Sequence, residues 1–449
     1  MSLRAVRAAV AAAVVGSALM GGAAPAAAPD PAPREEVKTL ADCIAIALAG
    51  HPRIGSAKAD VDAGTARVYE AGSGYLPKLA GVWSSDRRES SFSSRTGGPS
   101  NSVGGGALEQ SNVFNFHQGA VTFTQTLFDF GQSFAAIRAA QARRDALAAD
   151  AVTTTTDVVL GVKQAYFGLL AARRLLDVAE ETVRDDEKQA ELARGRNDVG
   201  LAPRLDVTRS EVQLANAELD RVTARNNVAV AEATLANALG LDGPLDFDIE
   251  DVLAAPRMTL DEPTALARAY EGRPELRSLL AQKRAAEQDV KQHWRELLPT
   301  VHADATYGGS GSETPLSEQW RIGGGVDVPI FDGGLTLARV GEAKANVHSL
   351  GFQERQLRQQ ITLEVRRALL DVNRAEEAIA VTQRASEQAR ENLELAQGRY
   401  ETGVGNVIEL VDAQTARTSA EADRVRALYD HQTAIATLEQ AIAQELPTP

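Results

Sequence analysis

Three acidic side chains stand where their charge could act on a helix or on a passing molecule: Asp206, Glu409 and Asp412. Asp206 and Glu409 each lie six residues after the glycine that ends a repeated decapeptide, ELARGRNDVG at 191–200 and ELAQGRYETG at 394–403. Six of the ten positions are identical. A carboxylate in the first turn of a helix stabilises the partial positive charge at the helix N-terminus. This role fits Asp206 and Glu409 better than Asp412, which lies one turn further along.

Other kinds of site chemistry find little support in this chain. The six histidines lack metal-ligand spacing such as HExxH, and the single cysteine, Cys43, excludes an intramolecular disulfide and disfavours a cysteine metal site. No phosphate-binding loop, nucleophile elbow or pair of catalytic acids stands out. The net charge of −14 disfavours nucleic acid as a partner. We therefore expect no enzyme activity, no cofactor and no metal.

The repeated decapeptide belongs to a duplication that extends along most of the chain. LFDFGQ at 127–132 matches IFDGGL at 330–335 with an offset of 203, which is also the offset of the decapeptides. YLPKL at 75–79 matches LLPTV at 297–301 with an offset of 222, so the first copy carries 19 extra residues between these motifs. The extra residues fall in a Gly/Ser-rich stretch, whose composition is typical of an exposed loop.

Each copy is predicted to contain one unusually long helix. Between the FDxG motif and the end of the decapeptide, apolar residues recur at steps of three and four, and no proline interrupts them. A helix over 132–198 would be about 100 Å long. That length favours a coiled coil or a helical tube over a compact domain. A helix of about half that length is predicted after each glycine, and a helical segment of similar length opens each copy.

Alternating apolar and polar residues predict two strands in each copy before the FDxG motif. The pattern is clear in GAVTFTQTLF at 119–128, VHADATY at 301–307 and WRIGGGVDVPI at 320–330. A period of two places apolar side chains on one face of a sheet and polar ones on the other. The pattern alone fits a membrane barrel strand and a half-buried strand in a soluble protein equally well. Four strands cannot close a barrel around a lumen, so the barrel interpretation requires an oligomer.

The predicted organisation places two repeats behind an export signal. Arg4 and Arg7, the apolar stretch after them and a set of small residues predict a secretory signal peptide. After it, no run of about 18 apolar residues predicts a membrane helix. The predicted segments are a signal peptide 1–28, a Pro-rich linker 29–36, repeat 1 over 37–239, an inter-repeat linker 240–259 and repeat 2 over 260–445. Each repeat is predicted to contain, in order, a short helix, a β-hairpin, a long helix, a tip turn and a second short helix. The hairpin and the long helix are 79–131 and 132–198 in repeat 1, and 300–334 and 335–402 in repeat 2.

This architecture resembles the TolC-like outer-membrane efflux channel family. The resemblance is carried by the paired proline and FDxG motifs, by RNDVGLAPRLDVTRSEVQLANAE at 196–218 and by RYETGVGNVIELVDAQTARTSAEAD at 399–423. It implies a mainly α fold with a membrane β-barrel and an internal two-fold sequence repeat. Each protomer of a homotrimer would give four strands to a shared twelve-stranded barrel, in contact with outer-membrane lipid. Its long antiparallel coiled-coil helices would form a trimeric α-barrel in the periplasm.

The resemblance also implies a function. The protein would be the outer-membrane exit duct of a tripartite efflux or type I secretion system, a passive conduit that a periplasmic adaptor and an inner-membrane pump open at its tip. The tip turns and the adaptor contact would lie at Gly200, Leu201, Gly403, Val404 and Gly405.

Gate residues follow from the same resemblance. Tyr400 and Arg399 precede the second tip turn, where a tyrosine of the family helps to hold the tip closed. The basic residue that the family usually has two positions after the glycine is replaced here by Gly405. Asn197 stands at the position equivalent to Tyr400, so the two turns differ chemically. In a trimer, Asp206, Glu409 and Asp412 would form rings of like charge that favour cations.

An exported coiled-coil scaffold or adhesin without channel activity is the alternative. Such a scaffold has no need of two matched alternating hairpins flanked by Trp83 and Trp320. Ion conductance distinguishes the two functions. The transported substrate and the type of pump do not follow from the sequence.

Overall fold

The computed structural model describes residues 37–92, 110–252, 260–313 and 315–443. The predicted signal peptide and Pro-rich linker lie outside these residues, as do parts of the predicted loop at 90–112 and of the inter-repeat linker. No helix in the described ranges is long and apolar enough to cross a membrane. The elements in chain order are β1 (Val37–Lys38), α1 (Leu40–Gly50), α2 (Pro52–Gly72), a 3-10 turn (Ser73–Tyr75), β2 (Lys78–Phe92), β3 (Gln110–Phe128), α3 (Gln132–Asp198), α4 (Arg204–Leu239), β4 (Asp248–Ile249), α5 (Glu262–Gly272), α6 (Pro274–Arg295), β5 (Thr300–Gly311), β6 (Ser317–Asp327), α7 (Leu335–Glu401) and α8 (Val407–Ala441).

Two long helices dominate the molecule, and each is followed by a shorter partner. α3 and α7 have 67 residues each, while α4 has 36 and α8 has 35. Each short helix runs back along its long helix after a glycine turn, so ion pairs cross between them, such as Arg194–Glu211 in repeat 1 and Arg390–Glu421 in repeat 2.

The helical segment that opens each repeat is two helices, where the sequence predicted one. The break falls between α1 and α2 at Pro52, and between α5 and α6 at Pro274. Proline lacks an N–H and disfavours helical geometry in the residue before it, so it is tolerated in the first turn of a new helix. His51 and Arg273, which precede the two prolines, have extended backbone angles. These prolines therefore start new helices at equivalent places in the two repeats.

The four longer strands form one antiparallel sheet in the order β2-β3-β5-β6. Each repeat contributes one hairpin, and the pairing of β3 with β5 joins them. β3 begins at Gln110, inside the predicted loop, and ends at Phe128, before the FDxG glycine. β5 continues through the glycines at 308–311, and β6 begins at Ser317.

The FDxG motif is the junction between strand and long helix, and both copies use the same hydrogen bonds. The Asp129 carboxylate accepts from the backbone N–H groups of Gly131 at 3.0 Å and Ser133 at 2.8 Å. The Asp332 carboxylate accepts from Gly334 at 3.0 Å and Thr336 at 2.8 Å. Gly131 and Gly334 have φ of 83° and 87°, a left-handed conformation that glycine adopts without steric cost. The aspartate therefore satisfies N–H groups that a helix start leaves unpaired.

The inter-repeat linker contains a strand that the sequence did not predict. β4 pairs in parallel with β1, which joins Val37 to Asp248 and Lys38 to Ile249. Each strand has only two residues, too few for an alternating pattern to be visible in the sequence.

Equivalent apolar residues form the main cores of the two repeats. Val158 and Val162 of α3 belong to one core, and Ile361 and Val365 of α7, at the offset of 203, belong to the other. The repeats are joined where α3 meets α8. There Arg417 of α8, which is 9% exposed, binds Glu181 and Asp185 of α3.

Candidate functional site: the paired glycine turns

Both long helices end in the same backbone turn, which the repeated decapeptide encodes. Gly200 and Gly403 each have φ of 76°. The N–H of Leu201 donates to the Arg196 carbonyl at 2.8 Å, and the N–H of Val404 donates to the Arg399 carbonyl at 3.0 Å. Each of these hydrogen bonds closes a turn of six residues and satisfies a carbonyl that the helix end would leave unpaired. The residue with left-handed backbone angles in such a turn is usually glycine. The final glycine of each decapeptide is therefore a helix stop. The side chains of Leu201 and Val404 project from the turns and are each 72% exposed.

Gly405 lies against the end of α7, and any side chain at this position would be in tight contact with that helix end. A Cβ at this position would lie 3.0 Å from the Arg399 Cβ and 3.1 Å from the Tyr400 backbone nitrogen. The Gly405 N–H donates to the Arg399 carbonyl at 2.8 Å, which keeps the chain close. A basic side chain at 405 would require these neighbours to move by a few tenths of an ångström.

Arg399 and Glu409 hold the second turn to the helix that follows it. The Arg399 guanidinium lies 3.4 Å from the Glu409 carboxylate. Glu409 is also in the first turn of α8, where the Asn406 side chain accepts from the Glu409 N–H at 2.9 Å. Glu409 therefore neutralises a neighbouring arginine and complements the helix dipole at the same time.

Tyr400 is buried in a small apolar cluster at the second turn. Its side chain is 4% exposed, and its hydroxyl has no hydrogen-bond partner among the described residues. Burial raises the pKa of Tyr400, the nearby Asp206 carboxylate raises this pKa further, and Arg196 opposes the rise. The cluster around the ring consists of Leu393, Ala396, Val407, Leu410 and Ala413.

The first turn has no such cluster. At the offset of 203, Leu393 is replaced by Ala190, Tyr400 by Asn197 and Val407 by Arg204. Asn197 is used locally, since its side-chain amide donates to the Ala202 carbonyl at 2.8 Å. The two hairpins are therefore alike in backbone and unlike in packing.

Arg196 joins the two turns, although the sequence gave no reason to select it. Its Nη1 donates to the Tyr400 carbonyl at 2.6 Å, and its guanidinium carbon lies 4.9 Å from the centre of the Tyr400 ring. The only sequence signal was its place in the repeated GR of the decapeptide, and the equivalent Arg399 turns instead to Glu409.

The remaining predicted acids lie on the same end of the molecule. Asp206 is half-buried in the first turn of α4 and lies close enough to Tyr400 to affect its pKa. Asp412 is exposed on α8. The structure thus brings Asp206 towards Tyr400 and Glu409 towards Arg399, and it leaves Asp412 facing solvent. Within the described ranges, no group of histidine, cysteine and acidic side chains could hold a metal ion.

Comparison with known proteins assigns the family. The model of the outer membrane efflux protein family matches residues 43–241 and 265–444, which are the two repeats and most of the chain. The chain belongs to the outer membrane efflux protein family. It is a TolC-like protein, and the family assignment indicates an outer-membrane location.

Relatives of this family resemble the chain over most of its length. Protein CyaE of Bordetella pertussis is 29% identical over 90% of this chain and 84% of its own. Fusaric acid resistance protein FusA of Burkholderia cepacia is 28% identical over 69% of this chain and 58% of its own. Outer membrane protein TolC of Escherichia coli is 24% identical over 85% of this chain and 77% of its own.

Solved structures confirm the fold of the efflux family. The outer-membrane channel OprN superposes with a TM-score of 0.77 at 20% identity, over 90% of each chain. VceC from Vibrio cholerae superposes with a TM-score of 0.74 at 19% identity, over 90% of this chain and 96% of its own. The mainly helical architecture with a small sheet at one end is therefore that of the efflux channels.

Proposed function

We propose that this chain is the outer-membrane exit duct of a tripartite efflux or type I secretion system. Three copies form one passive conduit, with a twelve-stranded barrel in the membrane and a helical tube in the periplasm. A periplasmic adaptor and an inner-membrane pump open the tube at the glycine turns. The family assignment supports export across the outer membrane. The four-stranded sheet and the exposed apolar residues of α4 and α7 support the assembly of three copies.

The four-stranded sheet carries this proposal, because one of its faces is apolar and exposed. Val121, Tyr307 and Trp320 are paired across three strands on that face. Leu79 of β2 lies on the same face, paired with Phe123, and Ile322 of β6 is 78% exposed there. An exposed apolar face of this kind matches the lipid-facing side of a barrel, where tryptophan and tyrosine favour the interface.

The opposite face of the sheet is polar, as the wall of an aqueous lumen requires. It carries Thr122, Thr306 and Arg321, which are paired across three strands. Asp304 lies 3.8 Å from Arg321 on this face. Within the described residues, β2 pairs only with β3 and β6 only with β5, so both edges remain open. An open edge in a membrane leaves backbone groups unpaired, and joining copies edge to edge removes that cost.

The helices carry a second feature that supports assembly of copies. α4 exposes Leu205, Leu219 and Val230, at intervals of 14 and 11 residues. α7 exposes Leu395, Val381 and Leu370 at the same intervals in the opposite direction. Both intervals return to nearly the same face of a helix. The two stripes therefore fit each other when α4 of one copy lies antiparallel to α7 of the next.

The tip turns are the proposed contact with the adaptor. Leu201 and Val404 are exposed apolar side chains at the far end of both hairpins from the sheet, together with Gly200, Gly403 and Gly405. Asp206, Glu409 and Asp412 lie just inside these turns, and three copies would place nine carboxylates around the aperture. The chemistry of the cargo is left to the pump, because a passive conduit needs no specific substrate site.

Planar-bilayer conductance of the purified protein tests this proposal. A trimer that gives discrete ion-conducting steps is the expected result. Ile322→Lys on the apolar face should abolish insertion, because a lysine facing lipid costs about 2–4 kcal/mol. Gln319→Lys, on the polar face of the same strand, is the matched control and should conduct. A water-soluble monomer without conductance would contradict the duct and support the scaffold.

A further inference from the structure

We propose that Arg196 is a clamp that fastens the two glycine turns of one protomer together and keeps the tip closed. This inference rests on the proposed function, since a clamp matters only if the tip opens. It assigns a gating role to Arg196 of the first hairpin, whereas the family resemblance indicated Tyr400 and Arg399 beside the second turn.

Two contacts from one side chain cross between the repeats. Nη1 of Arg196 donates to the Tyr400 carbonyl at 2.6 Å, while the guanidinium covers the Tyr400 ring with a carbon-to-centroid distance of 4.9 Å. The planar guanidinium can do both at once, and the ammonium of a lysine cannot. The second guanidinium nitrogen, Nη2, lies 3.7 Å from the position that a Cβ on Gly403 would take. Arg196 therefore contacts the last turn of α7 and passes close to the glycine that stops it.

The charges at this place favour a cation. The carbonyls at the C-terminal end of a helix carry partial negative charge, and the Arg196 side chain, in the last turn of α3, reaches the last turn of α7. The Tyr400 carbonyl also accepts from the Gly403 N–H at 3.1 Å, so it is part of the helix stop itself. Asp206 adds a full negative charge near Tyr400. One arginine thus compensates two helix ends and a carboxylate.

Comparison of the two repeats indicates that this contact is specific. Arg399, the equivalent of Arg196, forms its ion pair with Glu409 in its own hairpin. Asp206, the equivalent of Glu409, lacks that local arginine because Arg196 is directed at Tyr400. The same motif therefore serves a local function in repeat 2 and a connecting function in repeat 1.

The first hairpin needs such a connection more than the second. The second hairpin has a buried cluster around Tyr400. In the first hairpin, Val207 is the one large apolar residue at the equivalent places, and small or polar residues occupy the others. A hairpin with little buried apolar area gains little stability from its own packing. Arg196 lets the first hairpin use the packed second hairpin as a support, so releasing it would free the first hairpin to move.

Single-channel recording of Arg196→Ala tests the clamp, with Arg194→Ala as the matched control. Arg194 is an arginine of the same helix turn that binds Glu211 within its own hairpin, with donor–acceptor distances of 3.0 and 2.9 Å. Loss of a charge-assisted hydrogen bond and a cation–π contact should raise the open-to-closed ratio about tenfold. Arg194→Ala should leave this ratio at the wild-type value.

Variants of Tyr400 separate clamping from general stability. Tyr400→Phe should behave as wild type, because the hydroxyl has no partner and the ring remains. Tyr400→Leu removes the ring but keeps the main-chain carbonyl, so it should open the channel more than Tyr400→Phe and less than Arg196→Ala. The double variant should be about as open as Arg196→Ala alone, about tenfold, because Arg196→Ala already removes the contact with the ring. Arg196→Lys should restore closure only in part.

The outcomes distinguish this inference from the proposed function. A wild-type protein that does not conduct contradicts the duct itself. A conducting wild type with an Arg196→Ala variant that opens no more often than Arg194→Ala overturns the clamp alone. Multiplying effects in the double variant would overturn it as well, because independent effects on the fold multiply. If Arg196→Ala fails to form trimers, the comparison of Tyr400→Leu with Tyr400→Phe decides, and equal opening of these two overturns the clamp.

Discussion

At the scale of single residues, equivalent side chains of the two repeats have taken different partners. The sequence was sufficient to select Gly200 and Gly403, because a repeated helix stop is visible in the order of residues, and the family resemblance indicated Tyr400. It could not select Arg196, because both repeats carry the same arginine and only its rotamer decides whether it stays in its hairpin or crosses. The absence of a basic residue at 405 was visible, but the close approach of Gly405 to Arg399 was not.

The three tip acids are expected to contribute unequally to ion selectivity. Alanine substitution of Asp412 should reduce cation preference more than substitution of Glu409, because Arg399 already offsets the Glu409 charge. Asp206→Ala should also reduce it, although Arg196 lies near. Reversal potentials in a salt gradient measure the effect, and Asp220→Ala, an exposed acid further along α4, is the control. Unchanged reversal potentials in the triple variant would leave these acids only their helix-dipole role.

Asp186 is a buried carboxyl that should make stability depend on pH. It is 1% exposed, and neither carboxylate oxygen has a hydrogen-bond partner in the described part of the chain. Burial, with a smaller contribution from Asp185, raises the pKa of Asp186 to about 6. The nearby Arg417 of α8 is engaged by Glu181 and Asp185. No pattern in the sequence distinguished Asp186 from its neighbour Asp185.

The sign of the effect follows from the raised pKa. Between the pKa of the unfolded chain, about 3.9, and that of the folded chain, the folded state binds more protons. The free energy of unfolding should therefore fall as pH rises through this window, by about 3 kcal/mol in all. Asp186→Asn should remove this dependence and raise the melting temperature at pH 7. Asp185→Asn, which breaks an ion pair with Arg417, should lower it, and equal melting of both variants would contradict the assignment.

At the scale of elements, the long helices were predictable and the breaks between short ones were not. Each long segment has 67 residues without proline, and its apolar residues form one stripe. This pattern predicts a single long helix. Pro52 and Pro274 were visible as well, but a proline can also kink a helix or occupy its first turn, and the sequence does not decide between these. The two-residue strands β1 and β4 form only because the inter-repeat linker passes Val37 and Lys38 in space.

The FDxG junctions should differ in strength although their backbone hydrogen bonds match. Asp129→Ala and Asp332→Ala each remove a helix cap, which costs about 1 kcal/mol. Asp129 also accepts from the Tyr75 hydroxyl, so its loss should cost about 1 kcal/mol more. Thermal unfolding followed by circular dichroism measures both. In a Tyr75→Phe background the two alanine variants should become equal, and a persistent difference would mean that another contact distinguishes the junctions.

At the scale of the whole molecule, one copy leaves two kinds of surface without a partner. The sheet has open edges and an apolar exposed face, and α4 and α7 have matching apolar stripes. Each of these surfaces is costly in an isolated chain, and the proposed arrangement of three copies around an axis would remove both costs. Sequence patterns predicted the strands and helices separately, but the correspondence between the two stripes needed the exposure of each side chain.

A cysteine pair across the proposed α4–α7 contact tests the arrangement directly. Leu219→Cys and Val381→Cys in one chain should give disulfide-linked dimers and trimers on mild oxidation, because the common spacing of the stripes sets these two positions opposite each other in neighbouring copies. The only native cysteine, Cys43, is buried and should not interfere. Leu219→Cys with Leu370→Cys is the matched control. Its second cysteine is displaced by 11 residues along α7, or about 16 Å, which exceeds the reach of a disulfide. Linkage in the control and not in the test pair would mean that the copies meet in another register.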